Sequence, residues 1–97
     1  MRLVFMGTPA FVVPVLQAVA AAPDVQVVGV YTPPDRPRGR GRLTEMPPVK
    51  SYALAQGLPV YQPATLRSER VQKDLASLEA HVIVVAAYGR LVPPQVL

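Results

Sequence analysis

Cysteine is absent from the chain, which excludes disulfides and thiolate metal ligation. Histidine occurs once, at His81, so these residues cannot assemble a multi-histidine metal centre. No apolar run approaches the roughly 20 residues of a membrane-spanning helix. The stretch Met1-Arg2-Leu3-Val4-Phe5-Met6 is too short an apolar segment, and too soon followed by a turn, for a secretory signal. A dinucleotide fingerprint is missing, because Gly7 stands alone where G-x-G-x-x-G needs three glycines, and Thr32 and Pro33 end the second strand where an acidic residue would be needed. No Gly-Lys-Ser/Thr marks a Walker loop, and no nucleophile–base pair or carboxylate pair is visible. These absences leave a cytoplasmic protein without metal, without a membrane association and without catalytic residues of its own as the expectation.

What is present is apolar and sharply patterned. Of 97 residues, 51 % are hydrophobic and 16 % charged, which opposes disorder and suits a parallel sheet covered on both faces. Five of the ten Lys and Arg residues lie between Arg36 and Lys50. The run Pro34-Asp35-Arg36-Pro37-Arg38-Gly39-Arg40-Gly41-Arg42 alternates arginine with proline and glycine. Such a backbone is kept out of helices and central strands, so the arginines are expected to project from a loop. Guanidinium forks grip phosphate bidentately, and a concentrated positive patch attracts an anion where a diffuse one would only solubilise. An anionic partner is therefore expected for Arg36, Arg38, Arg40, Arg42 and Lys50; a solvated charged surface is the plainer alternative. Asp35, the carboxylate closest to this patch, is expected to brace an arginine or cap a turn.

The order of elements reads β-α-β-loop-α-β-α-β. Strands are predicted at 2–6, 25–32, 58–61 and 81–87. Helices are predicted from Pro9 to about Ala22, from Met46 to Gln56 and from Ser68 to Glu79. In the first helix Thr8 is the expected cap, and Phe11, Val15, Leu16 and Val19 form the apolar stripe. Pro14 makes either its first turn irregular or its regular part begin nearer residue 14. Strands separated by helices imply right-handed crossovers and a Rossmann-type, doubly wound parallel sheet, incomplete at about four strands. The apolar, uncapped end at Leu97 reads as the front of a longer enzyme. An open sheet edge would then favour self-association or poor solubility of this piece alone.

Ligands of open α/β sheets bind beyond the carboxyl ends of the strands. Those ends carry Gly7-Thr8-Pro9, the basic loop from Pro33, and Tyr88-Gly89-Arg90-Leu91. Gly7 suits a tight strand-to-helix turn or a backbone surface lying against a small ligand. Ala86, Ala87 and Gly89 suit a plain turn or the close approach of a flat ligand. His81 opens the fourth strand at the opposite edge and reads as a surface residue.

Taken together, Met6-Gly7-Thr8-Pro9-x-Phe11, Pro34-Asp35-Arg36-Pro37-x-Gly39-Arg40-Gly41, Pro48-Val49-Lys50, Tyr61-Gln62-Pro63, Leu66-Arg67 and Ala87-Tyr88-Gly89 resemble the N-terminal part of the methionyl-tRNA formyltransferase family. The resemblance covers nearly the whole chain, and the arginine motif is its most specific part. It implies a formyltransferase domain of which residues 1–97 are the N-terminal portion. The remainder of that domain and a C-terminal β-barrel domain would follow. It implies a parent, expected to be monomeric, that moves a formyl group from 10-formyltetrahydrofolate to the amino group of initiator methionyl-tRNA. Further implications are a tRNA contact by the basic loop with Arg40 at its centre, and a folate contact by Tyr88, Gly89 and Leu91. Gly7, Thr8 and Pro9 would form an active-site turn. The family's Asn-x-His motif and Asp have no counterpart here, so the 97-residue chain alone is expected to be inactive. Ala10, Pro33 before Pro34, and His81 depart from the family's usual residues without touching the arginine motif. The alternatives are a stand-alone RNA-binding module on a Rossmann-like fold, and a formyltransferase of a small-molecule amine, whose substrate gives no reason for so long a basic loop.

Overall fold

The computed structural model describes residues 1–37 and 44–88, with the side chains at 36, 37, 44 and 45 excepted. The elements run β1 (Arg2–Gly7), a 3-10 turn (Ala10–Val12), α1 (Val13–Ala21), β2 (Gln26–Tyr31), β3 (Arg36–Pro37) and β4 (Thr44–Glu45). Then follow α2 (Pro48–Ala55), β5 (Val60–Tyr61), α3 (Glu69–Ser77) and β6 (Val82–Ala86). Strands β5, β2, β1 and β6 pair in that order, all parallel, as the alternation of strands and helices predicts. The earliest strand thus lies inside the sheet, and the chain winds outward from it in both directions.

Apolar side chains leave the sheet on both sides, which is why β1 and β2 read as continuous hydrophobic runs. On one face Leu3, Phe5, Val27 and Val30 pack with Val12 and Leu16, and with Val49 and Ala53 of α2. On the other, Val4, Met6, Val28 and Tyr31 pack with Leu66, Tyr88 and Leu75 of α3. The register between β1 and β2 slips once, pairing Leu3 with Val27 but Val4 with Gly29. The extra residue lets Val27 and Val30 share a face, which strict alternation would forbid.

Helix boundaries follow from proline and glycine. Pro14 is the second residue of α1, where its missing N–H belongs to a group without a helical partner anyway. The turn before it is accordingly 3-10, the irregular start anticipated above. That turn also changes the phase of the apolar stripe. Val12, Leu16 and Val19 face the core, whereas Phe11 and Val15, expected on the stripe, are 75 % and 42 % exposed. Helix α2 begins at Pro48 and ends in a Schellman turn. There Leu58 N–H donates to Ala53 O at 2.9 Å and Gly57 N–H to Leu54 O at 3.1 Å. Gly57 takes the left-handed φ of 71° that the turn requires. Helix α3 buries Leu75 and exposes Arg70, Lys73 and Asp74, the amphipathic division its spacing predicts. Among the described residues no helix is long and apolar enough to cross a membrane.

Candidate nucleic-acid interface and active-site edge

The carboxyl ends of β1, β2, β5 and β6 form one edge, and side chains tie it together. Thr8, directly after β1, was expected to cap the following helix. Its hydroxyl instead donates to the carbonyl of Tyr88 at 2.6 Å, joining the turn after β1 to the turn after β6. The 3-10 turn starts without a side-chain cap. Thr8 O in turn accepts from Val49 N–H at 3.4 Å, which fastens the start of α2 to the same place. Gly7, Thr8, Pro9 and Tyr88 are therefore brought to one edge of the sheet.

Gly7 answers to packing. A Cβ built there would lie 2.8 Å from Phe5 Cε1, 3.0 Å from Ala86 O and 3.2 Å from Val12 Cγ2. The tight strand-to-turn passage accounts for glycine at this position.

The stem of the basic segment leaves from the same edge. Thr32 N–H donates to Tyr61 O at 3.0 Å, extending the pairing of β2 and β5 by one residue. The chain then turns outward into β3, which pairs antiparallel with β4, Arg36 opposite Glu45 and Pro37 opposite Thr44. The expected loop is thus a hairpin at its base. Arg36 lies on β3; Arg38, Arg40, Arg42, Gly89 and Leu91 lie outside the described residues.

Asp35 sits where β2 gives way to the hairpin, and it does brace a cation, though a lysine in place of the expected arginine. Lys50 Nζ, from α2, donates to both carboxylate oxygens at 3.0 Å, and Gln62 Nε2 donates to Oδ1 at 2.7 Å. The same Gln62 amide donates to Pro33 O at 3.0 Å. The Lys50 and Asp35 side chains are only 15 % and 25 % exposed, so the pair is shielded from bulk water on most sides. Lys50, expected among the anion-binding cations, directs its ammonium at Asp35. Gln62 escaped the residue-level reading, since nothing marks a lone glutamine as a partner of a carboxylate 27 residues earlier. Its signal was present in another form: Asp35, Lys50 and Gln62 each fall in one of the three separate motifs Pro34-Asp35-Arg36, Pro48-Val49-Lys50 and Tyr61-Gln62-Pro63.

The Gln62 hydrogen bond, and after it the Lys50 ammonium, hold the Asp35 carboxyl below its usual range. A carboxyl lowered in the folded state adds stability above its unfolded pKa and loses it as pH falls through the folded value. The stability difference between the native protein and Asp35→Asn is therefore expected to be fully developed above about pH 5, given an ordinary aspartate pKa near 3.9. It should shrink steadily as the solution is made more acid. Urea midpoints measured from pH 7 to pH 3 check this, and a difference that stays constant over that range would contradict it.

Behind the edge, Tyr31 stacks on Tyr61 with ring centroids 5.0 Å apart. The Tyr31 hydroxyl is buried and has no hydrogen-bond partner among the described residues. Burial first, and the neighbouring Tyr61 next, push its phenol well above the usual tyrosine range, so it is no acid or base at neutral pH. His81 lies exposed at the far edge. Its backbone N–H donates to Arg2 O at 2.8 Å and its ring Nδ1 accepts from the Arg2 backbone N–H at 3.0 Å, closing the start of the β1–β6 ladder.

A protein-family model described as formyl transferase matches residues 1–97. The chain is 52 % identical over 96 residues to a methionyl-tRNA formyltransferase of Listeria innocua, covering 99 % of this chain and 30 % of that protein. It is 56 % identical over 97 residues to a methionyl-tRNA formyltransferase of Xylella fastidiosa, covering 100 % of this chain and 31 % of that protein. The chain thus spans about 30 % of the length of these curated relatives. Among solved structures, a phosphoribosylglycinamide formyltransferase from Bacillus halodurans superposes on 100 % of this chain and 50 % of its own. The TM-score is 0.64 and the identity 18 %, a likeness of fold.

Proposed function

The chain belongs to the formyl transferase family, and from that premise we propose that it is the leading part of an enzyme that formylates the amino group of initiator methionyl-tRNA from 10-formyltetrahydrofolate. The observation that carries this reading is the hairpin stem at the carboxyl edge of the sheet, where ligands of this architecture bind. The relatives' names point the same way. Residues 1–97 form the N-terminal portion of the formyltransferase domain, and the rest of that domain and a β-barrel domain belong to the longer protein.

In this reaction the amine nitrogen attacks the formyl carbon, a new N–C bond forms, and the bond from that carbon to the folate nitrogen breaks. The folate nitrogen leaves with a proton. The tetrahedral intermediate carries an oxyanion that needs preorganised donors, and the amine needs a base within reach. Those groups are assigned to residues after Leu97, in the Asn-x-His and Asp positions of the family. The residues described above contribute position. Tyr88, with Gly89 and Leu91, forms one wall for the folate, and the turn Gly7-Thr8-Pro9 fixes that wall through the Thr8 hydroxyl. Arg36, Arg38, Arg40 and Arg42 meet the phosphates of the tRNA acceptor end.

In the full-length protein, Arg40→Ala is expected to lower kcat/KM for the tRNA by the equivalent of about 1–3 kcal/mol, the scale of a lost charge-assisted contact. The KM for the folate should not change. Steady-state kinetics at several salt concentrations measure this, and an unchanged kcat/KM for tRNA would remove the hairpin from the interface.

A further inference from the structure

We propose that Asp35, gripped by Lys50 and Gln62, is a positioning residue that sets the direction in which the arginine hairpin leaves the sheet, and that Lys50 acts through Asp35 instead of on the phosphate backbone. The inference rests on the reading of the hairpin as a tRNA contact.

Three separate elements meet at one carboxylate. Asp35 is the last residue before β3, Lys50 belongs to the first turn of α2, and Gln62 follows β5 directly. Both oxygens of the carboxylate are engaged, at 3.0, 3.0 and 2.7 Å, by donors from two directions. Gln62 also holds the preceding carbonyl of Pro33, so two points of the segment entering the hairpin are fixed to the end of β5. On its other side the hairpin returns through residues 46 and 47 into α2, the helix that carries Lys50. The entry and exit of the hairpin are thereby linked by an ion pair in addition to the pairing of β3 with β4. Charge-assisted bonds in a shielded setting are the stronger and more directional kind. A cation that aims its ammonium at a carboxylate, with its side chain 15 % exposed, is poorly placed to meet a second anion.

The sign of one mutational effect separates the two roles. Asp35 is a negative charge close to a surface that meets a polyanion. If Lys50 touched phosphate and Asp35 merely neutralised it, Asp35→Asn would tighten tRNA binding, since net positive charge strengthens phosphate contacts. If Asp35 orients the hairpin, the same substitution weakens binding although it removes a repulsion.

The test uses full-length protein with purified initiator tRNA and the folate donor. Asp35→Asn is expected to raise KM for tRNA about tenfold, because small misplacements of a binding group are costly, while kcat and KM for the folate change less than about twofold. Lys50→Met should raise KM for tRNA similarly, and the double variant should be no worse than either single one, as for members of one linked unit. Gln62→Ala, which leaves the charges untouched, should show the same split and serves where Asp35→Asn folds poorly. An unchanged or lowered KM for tRNA in Asp35→Asn and Gln62→Ala, with Arg40→Ala still impaired, overturns the positioning role and keeps the hairpin as the tRNA contact. Additive effects of Asp35→Asn and Lys50→Met overturn it as well. If Arg40→Ala is unimpaired, the reading of the hairpin itself falls, and this inference with it.

Discussion

Phe5→Ala should destabilise the protein by about 3–5 kcal/mol, the usual cost of deleting a fully buried phenyl group. Phe5 is completely buried at the centre of β1, among Leu3, Val12, Leu16 and Val30. Two strands flank it, so the surrounding backbone has little freedom to close over the space left behind. The loss is a large share of the roughly 5–15 kcal/mol that holds an ordinary domain together. It should also reach the carboxyl edge of the sheet, because the ring lies next to Gly7. Urea unfolding of the full-length protein gives the number. A loss under about 1 kcal/mol would mean that this side of the sheet repacks far more freely than close-packed interiors do.

Gly7→Val should cost about 3 kcal/mol, at the upper end of what overpacking usually exacts. The first carbon of the new side chain would already meet Phe5 Cε1 at 2.8 Å and the backbone oxygen of Ala86 at 3.0 Å. The phenyl ring can tilt, but the oxygen belongs to the ladder partner of Gly7 on β6 and can retreat only if the strands part. Parting them stretches the Thr8–Tyr88 hydrogen bond, so under the proposed function KM for the folate should rise along with the loss of stability. Gly29 provides the contrast. A Cβ there meets Leu78 Cδ1 at 3.0 Å and Tyr61 Cε2 at 3.2 Å, side-chain atoms that can move. Thermal unfolding and folate kinetics of Gly7→Val check both halves, and a variant of native stability would refute the packing account of this glycine.

The strands and helices were legible because each imposes a period on apolar residues or a proline and glycine at its ends. Strand β1, α2 with Pro48 and Gly57, and α3 with Val71 and Leu75 follow from such marks. Other features leave no local trace. The slip at Val28 is invisible in Gln26-Val27-Val28-Gly29-Val30-Tyr31, since a run that is apolar on both faces does not disclose which side chain faces which way. Phe11 matches the buried stripe by spacing, but the short 3-10 turn rotates the helix start and leaves it exposed, and sequence spacing does not report that rotation. Strand β6 is wholly apolar in sequence, yet Val82 and Val85 are 37 % and 46 % exposed, since only β1 lies beside it among the described residues. The Asp35 cluster depends on partners 15 and 27 residues away, beyond any window of local reading. The arginine run points to an anion from charge and backbone chemistry alone, but the antiparallel rung at its base leaves no mark in the sequence.

The order of the sheet has a bearing on how the protein is made. Strand β1 is translated before either of its two described partners, and the later of these is far along the chain: Leu3 waits for Val82. At the usual synthesis rate of about 5–20 residues per second, that wait lasts roughly 4–16 s. Throughout it one flank of the nascent first strand has no neighbour, with Leu3, Val4, Phe5 and Met6 already translated. Until β6 emerges, that apolar flank is an open sheet edge available to non-native pairing.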